Sequence, residues 1–350
     1  MVAPLGSGLV KRVLVIGAAG MIGRKLSERL ARDGGLQREG IGELTQHDVI
    51  ASPAPAGAAF RVKSIASDLS APGEAEKLVA ERPDLIFHLA AIVSGEAEAD
   101  FEKGYRINLD GTRRLFEAIR KVGDGYKPRV VFTSSIAVFG APFPEAIGDE
   151  FLSAPLTSYG TQKAIDELLL ADYSRRGFFD GIGIRLPTIC VRPGKPNRAA
   201  SGFFSGIIRE PLAGQEVVLP VAKSVRHWFA SPRAAIGFLL HAARLATEPL
   251  GARRNLTMPG VAASVGEQIE ALRRVAGDVA VQRIREEPDP TIMRIVEGWP
   301  RNFDARRAAA LGFRADASFD DIIRIHMEDE LGQRTPAPRQ GRAEDLLRLR

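Results

Sequence analysis

The chain has 350 residues and a mass of 37.8 kDa, which at roughly 150 residues per domain excludes a single small module. With 45% hydrophobic and 26% charged residues it has the composition of a globular protein with a sizeable core. Its longest apolar runs, Val13 to Ile16 and Leu85 to Ile92 with His88 inside, fall far short of the roughly 20 residues that span a bilayer, so no membrane partner is expected. Net charge is +5, but the last 18 residues hold five Arg (Arg334, Arg339, Arg342, Arg348, Arg350) against Glu344 and Asp345, so the body is nearly neutral. Without a basic stripe interleaved with aromatics, no nucleic-acid partner is expected. The opening MVAPLGSGLV lacks the charged and apolar regions of a secretory leader, and the single cysteine, Cys190, has no partner for a disulfide or a metal cluster. A reducing cytoplasm and no bound metal are the corresponding expectations.

In chain order, Val13 to Ile16 reads as a strand, residues 21 to 33 as a helix, Leu44 to His47 as a weak strand and about Phe60 to Ile65 as a third. A helix at 73 to 81, a strand from Leu85 to Leu89, a helix at about 101 to 122 and a strand from Arg129 to Ser134 follow. Residues 157 to 176 read as a further helix and Gly181 to Leu186 as a strand. Strands alternating with helices predict an α/β fold, a doubly wound parallel sheet of Rossmann type with a smaller C-terminal substrate-binding region. Pro187, Pro193, Gly194, Pro196 and Gly202 cluster where the pattern changes. The expected organisation is therefore an extension over 1–10, a dinucleotide-binding domain over 11–190, and a substrate-binding region over 191–332. That region is interleaved with segments returning to the main sheet at about 217–245, and a disordered tail follows over 333–350.

The chemistry begins with Gly17-Ala18-Ala19-Gly20-Met21-Ile22-Gly23, a G-x-x-G-x-x-G directly after the first strand and opening the first helix. In that context glycines permit a tight turn and close approach of backbone to a pyrophosphate, while the helix N-terminus offers unpaired N–H groups and a positive dipole end. Asp48, ending the second strand, is the candidate for the adenosine ribose hydroxyls and favours NAD over NADP, since its carboxylate would repel a 2′-phosphate. Asp68 and Leu69, after the third strand, are candidates to meet the adenine. In Tyr159-Gly160-Thr161-Gln162-Lys163 a helical spacing of four puts the Lys163 ammonium near the Tyr159 phenol. A nearby cation favours phenolate and moves a group of reference pKa near 10 toward general-base range. Thr133-Ser134-Ser135 ends a strand at the carboxyl edge of the sheet, where a hydroxyl can hydrogen-bond the reacting oxygen.

These motifs occur in order with His88-Leu89-Ala90-Ala91, Asn108-Leu109-Asp110-Gly111-Thr112, and Val131 to Ser135 followed by Val138-Phe139-Gly140. Together they resemble the extended short-chain dehydrogenase/reductases, the epimerase/dehydratase family, over about residues 10 to 331, since DARRAAALGF (Asp304 to Phe313) is similar to that family's C-terminal signature. The resemblance implies that Tyr159 is the general base, that Lys163 binds the nicotinamide ribose and lowers the Tyr159 pKa, and that Ser135 orients the substrate hydroxyl. It further implies that Asn108 supports a proton-relay water, that Ala90 and Ala91 line the cofactor cleft, and that Leu186, Pro187 and Thr188 lie near the nicotinamide carboxamide. A homodimer built on the helices at 101 to 122 and 157 to 176 is implied in the same way.

Sugar-nucleotide members of that family carry Asn-Val-Tyr-Gly-Pro-Gly and Arg-Asp-Phe-x-x-Val-Asp-Asp stretches, where this chain has Thr188 to Gly194 (TICVRPG) and Arg226 to Pro232 (RHWFASP). Arg and His in place of amide and acidic groups predict a more cationic pocket, suited to a small carboxylate, with Arg192, Arg209 and Arg226 as candidates to clamp it. The phrase RLPTICVRPGKPNRAASGFFSGIIREPL resembles the branch of the family that oxidises the four-carbon sugar acid D-erythronate at its C2 hydroxyl, with hydride passing to NAD. Two other readings stand beside it: a nucleotide-sugar epimerase or dehydratase that retains its NAD, and a non-catalytic NAD sensor, whose sign would be loss of Tyr159 or Lys163.

Overall fold

The computed structural model describes residues 12–36, 39–194 and 201–333; the expected N-terminal extension, and the expected tail from 334 on, lie outside them. Seven strands form one parallel sheet: β1 (Arg12–Ile16), β2 (Glu43–Asp48), β3 (Arg61–Ala66), β4 (Leu85–His88), β5 (Arg129–Ser135), β6 (Asp180–Leu186) and β7 (Asn255–Thr257). They lie in the order β7-β6-β5-β4-β1-β2-β3, and every pairing is parallel. The order reverses between β1 and β4, which opens a crevice at their carboxyl ends.

The central strands are continuous apolar runs because both faces of the sheet are covered. Along β1, Val13 and Val15 enter one core while Leu14 and Ile16 enter the other, the period-2 alternation of a strand. The first core is closed by α1 (Met21–Asp33) through Leu26 and Leu30, and by a helix over Pro232–Arg244 through Ala235, Phe238 and Leu239. The second is closed by α2 (Gly111–Val122) through Leu115, Phe116 and Ile119, and by α3 (Ser158–Arg175) through Leu170.

A third apolar cluster, including Cys190, Phe204, Ile207, Phe229, Val265, Leu272 and Ile323, is built from residues after 189. A three-stranded sheet of Thr188–Ile189, Arg226–Ala230 and Val261–Ser264 runs along it. The return to the main sheet differs from the expected window of 217–245. The helix within that window does cover the sheet, but the strand that joins it is β7, later in the chain; Val217–Leu219 pairs with Ile284–Glu286 instead. The expected single helix at 101 to 122 also differs: Phe101–Gly104 leads into a wider π-turn over Tyr105–Asp110 before α2 begins. Within this turn the Asn108 side chain bonds both the N–H and the carbonyl of Ile92. Among the described residues no helix is long and apolar enough to cross a membrane, and no group of three or more His, Cys, Asp and Glu is gathered to hold a metal ion.

Candidate active site

At the end of β1 the chain turns through Gly17, whose φ of +91° favours glycine and whose absent Cβ would stand 2.6 Å from the Ala90 nitrogen. A Cβ at Gly23 would overlap the Gly17 carbonyl oxygen, so these two glycines let the turn, β4 and α1 close on one another. Gly17 and Ala18 both donate their N–H to the His47 carbonyl (2.8 and 3.0 Å). Gly20 caps α1 with no side-chain hydrogen bond, and the first turn, holding Met21, Ile22 and Gly23, has no acidic residue. Its N–H groups and dipole end are thus kept for an anion from elsewhere. Asp48 ends β2 beside this turn, accepting from the Ala19 N–H at 2.9 Å and from Val49 N–H at 2.7 Å. The residues fit a dinucleotide: a small-residue cradle, a bare helix N-terminus and a carboxylate at the second strand end.

The other candidates divide. Asp68 accepts from the Ser70 N–H and hydroxyl and pairs with Arg106 at 2.6 Å, which hold its carboxyl below the usual range against the opposing effect of burial. Leu69 is buried in the second core. Ala91 lines the crevice, whereas Ala90 is packed against the second core. Asn108 is buried with its amide used by Ile92 and by Gln162 Oε1 at 2.7 Å. Its carbonyl accepts the Thr112 hydroxyl at 2.6 Å.

Across the crevice, Thr157 caps α3 by accepting from Gly160 N–H at 3.1 Å, and Tyr159 and Lys163 follow one turn apart. A Cβ at Gly160 would meet the Ala137 carbonyl and stand 2.9 Å from Pro155 Cβ, so the glycine lets α3 press against the turn that follows β5. That contact sets Ser135 beside Tyr159, where its hydroxyl lowers the Tyr159 pKa. Behind them Glu167 takes a two-pronged bond from Arg185 (2.9 and 2.7 Å) and the Ser134 hydroxyl at 2.6 Å, tying α3 to the ends of β5 and β6.

Burial holds the Tyr159 phenol above its ordinary value, while the Ser135 hydroxyl and the Arg192 charge lower it. The Lys163 ammonium lies 6.0 Å from the Tyr159 ring centroid and 4.6 Å from that of Phe132. Burial lowers its pKa, and the charges of Asp166 and Glu167 oppose that. Asp166, on the next turn and fully buried, is raised well above the carboxylate range by the same desolvation.

A cavity of about 300 Å³ opens beside Tyr159, lined also by Ser135, Leu186, Pro187, Thr188 and Arg192. Arg192 is held there by its Nε bond to the Ile189 carbonyl (3.1 Å), with Arg209 bonding its own carbonyl at 2.7 Å. Of the three candidate arginines only this one faces the cavity. Arg209 props the Arg192 backbone and pairs with Glu210. Arg226 turns to Glu267 at 2.8 Å. Nor does His227 add positive charge, because burial lowers its pKa to about 4. Among the described residues the cavity thus has one arginine, Arg192, together with Lys163, over an apolar wall. That wall includes Phe139, noted in the sequence only as part of a motif, and Trp299 and Pro300, which sequence reasoning passed over. The one local signal for the last two was a rare Trp before Pro in a loop.

A dinucleotide cradle at the sheet's switch point facing a Ser-Tyr-Lys set defines a nicotinamide-dependent oxidoreductase of the short-chain type. The model of the NAD dependent epimerase/dehydratase family matches residues 13–246, and the chain belongs to that family; it is an oxidoreductase and NAD is its cofactor. A D-erythronate dehydrogenase from Cupriavidus necator is 49% identical over 321 residues, covering 91% of this chain and 98% of the relative. Another, from Haemophilus influenzae, is 40% identical over 320 residues, 91% of this chain and 100% of the relative. A crystal structure described as a nucleoside-diphosphate-sugar epimerase from Agrobacterium tumefaciens is 66% identical with a TM-score of 0.90, covering 94% of this chain and 98% of that one.

Proposed function

We propose that the chain oxidises the C2 hydroxyl of a small sugar acid with NAD, D-erythronate to 2-dehydro-D-erythronate being the best match. The observation that carries this reading is the guanidinium of Arg192 in one cavity with Tyr159 and Ser135. Gly17, Gly20, Met21, Ile22 and Gly23 hold the pyrophosphate and Asp48 the adenosine ribose. Lys163 holds the nicotinamide ribose, and Leu186 and Thr188 border the nicotinamide. NAD, when bound, supplies the acceptor for the hydride that leaves C2.

The chain's own groups do the rest. Ser135 fixes the C2 oxygen, Arg192 clamps the carboxylate, and Tyr159 Oη takes the hydroxyl proton while the Arg192 charge eases its ionisation. Residues 11–190 carry the cofactor and 191–332 the substrate wall, in a cytoplasmic homodimer. The test is NADH absorbance with a panel of four- to six-carbon aldonates and Tyr159→Phe as control. Signal with D-erythronate that vanishes in the variant is the expected result.

The name carried by the Agrobacterium tumefaciens structure favours a second reading, nucleotide-sugar epimerisation with NAD retained. Silence across the aldonates together with turnover of a UDP- or dTDP-sugar would establish it instead.

A further inference from the structure

His227 and Thr188 both line the cavity; Thr188 has so far been placed only beside the nicotinamide, and His227 has no role in the chemistry above. His227 is buried, its ring parallel to Phe204 (3° between planes, 5.3 Å between centroids). Its Nδ1 lies 2.8 Å from the Pro300 carbonyl, and its Nε2 lies 2.7 Å from the Thr188 hydroxyl. A carbonyl only accepts, so Nδ1 carries the hydrogen. Burial keeps the ring neutral, so Nε2 is a bare lone pair. It must accept, and the only hydrogen within that contact is the one on Thr188 Oγ1. The Thr188 proton is thereby used inside the protein, and its oxygen has only lone pairs left to offer the cavity.

From this geometry we infer that Thr188, polarised by the His227–Pro300 relay, is an acceptor-only contact for a second hydroxyl of the substrate, beyond the one being oxidised. It thereby selects polyhydroxy acids over plain 2-hydroxy acids. The inference rests on the sugar-acid reading of the site. A contact of this kind discriminates strongly, because a substrate without the hydroxyl leaves the threonine oxygen buried and unpaired.

The test compares kcat/KM, at saturating NAD, for D-erythronate and for (R)-2-hydroxybutanoate, which has the same C2 configuration but no hydroxyl at C3 or C4. It is run on the wild type, Thr188→Val and Thr188→Ser. The expected result is a wild-type preference for D-erythronate of about tenfold or more that shrinks at least tenfold in Thr188→Val and survives in Thr188→Ser, which keeps the oxygen. A preference that persists in Thr188→Val overturns the inference and leaves the sugar-acid reading standing. So does an equal loss on both acids with a raised KM for NAD, which would give the oxygen to the cofactor carboxamide. A wild type that oxidises neither acid overturns both. Unchanged NAD binding and circular dichroism in Thr188→Ser separate these outcomes from misfolding.

Discussion

The charge on Arg192 has two consequences that can be measured separately. It is the described guanidinium that faces the cavity, and it is the cation that lowers the Tyr159 pKa against the larger, opposing effect of burial. Arg192→Met should therefore raise KM for the acid substrate about 10- to 100-fold, the worth of a charge-assisted hydrogen bond. It should also move the rising limb of kcat against pH to higher pH, because the phenol loses the charge that favours its ionised form. A pH–rate series on both proteins checks this; an unmoved limb would mean that Tyr159 does not feel Arg192. Lys163 was the expected source of that effect. Its spacing from Tyr159 was visible in the sequence, but the direction in which its ammonium points is set by Phe132, Asp166 and Glu167 around it.

Between elements, the contact that matters most for the chemistry is that of α3 against the turn after β5. Gly160 permits it, and the Glu167–Arg185–Ser134 network holds it. Gly160→Ala should push the helix outward and part Tyr159 from Ser135, lowering kcat on the order of 100-fold while NAD affinity, which in the proposed site rests on Lys163 of this helix but also on the Gly17–Gly23 turn and Asp48 across the crevice, falls much less. Steady-state kinetics together with NAD titration would check it; equal losses in both would point to general misfolding. Leu168 on α3 and Phe101 on the short helix Phe101–Gly104 are 73% and 60% exposed, large apolar side chains turned to solvent in a single copy of the chain. In the proposed homodimer they lie at the interface, so Leu168→Lys should halve the mass seen by light scattering at micromolar concentration. A wild type that is already monomeric would end that proposal.

For the whole molecule, stability in mild acid is governed by buried imidazoles. His88 and His227 are held neutral by burial, with pKa values lowered to about 3 and about 4 from the ordinary 6.5. Between those values and 6.5 the unfolded chain binds protons that the folded chain refuses, so stability is full above pH 6.5 and falls as the pH drops toward 4. At pH 5 each histidine should cost about 2 kcal/mol relative to pH 7. Urea unfolding at the two pH values measures the loss, and in His227→Phe the difference between them should shrink by about 2 kcal/mol, whatever the variant's stability at pH 7. A difference equal to wild type would show that His227 is not buried as a neutral ring.

What was legible in the chain was whatever depends on neighbours in sequence. The span of α1 and the places of the first six sheet strands follow from periods of 3.6 and 2, and the glycine turn, Asp48 and the Tyr159–Lys163 pair follow from spacing along one element. The π-turn was not legible, and the Asn108 amide bonds that lie within it reach Ile92, sixteen residues away. Nor was the choice among Arg192, Arg209 and Arg226: all three are lone arginines next to apolar residues, and the local sequence does not rank them. One faces the cavity because Ile189 and Arg209 hold it there, while the others are drawn off by Glu210 and Glu267. The positive charge expected of His227 disappears for a related reason, since desolvation is a property of the packed interior. Thus local order, the glycine turn and the Tyr159–Lys163 pair were readable from residue order, while the polarity of the cavity beside them was decided by packing among residues as far apart as Thr188, His227 and Pro300, which no sequence period connects.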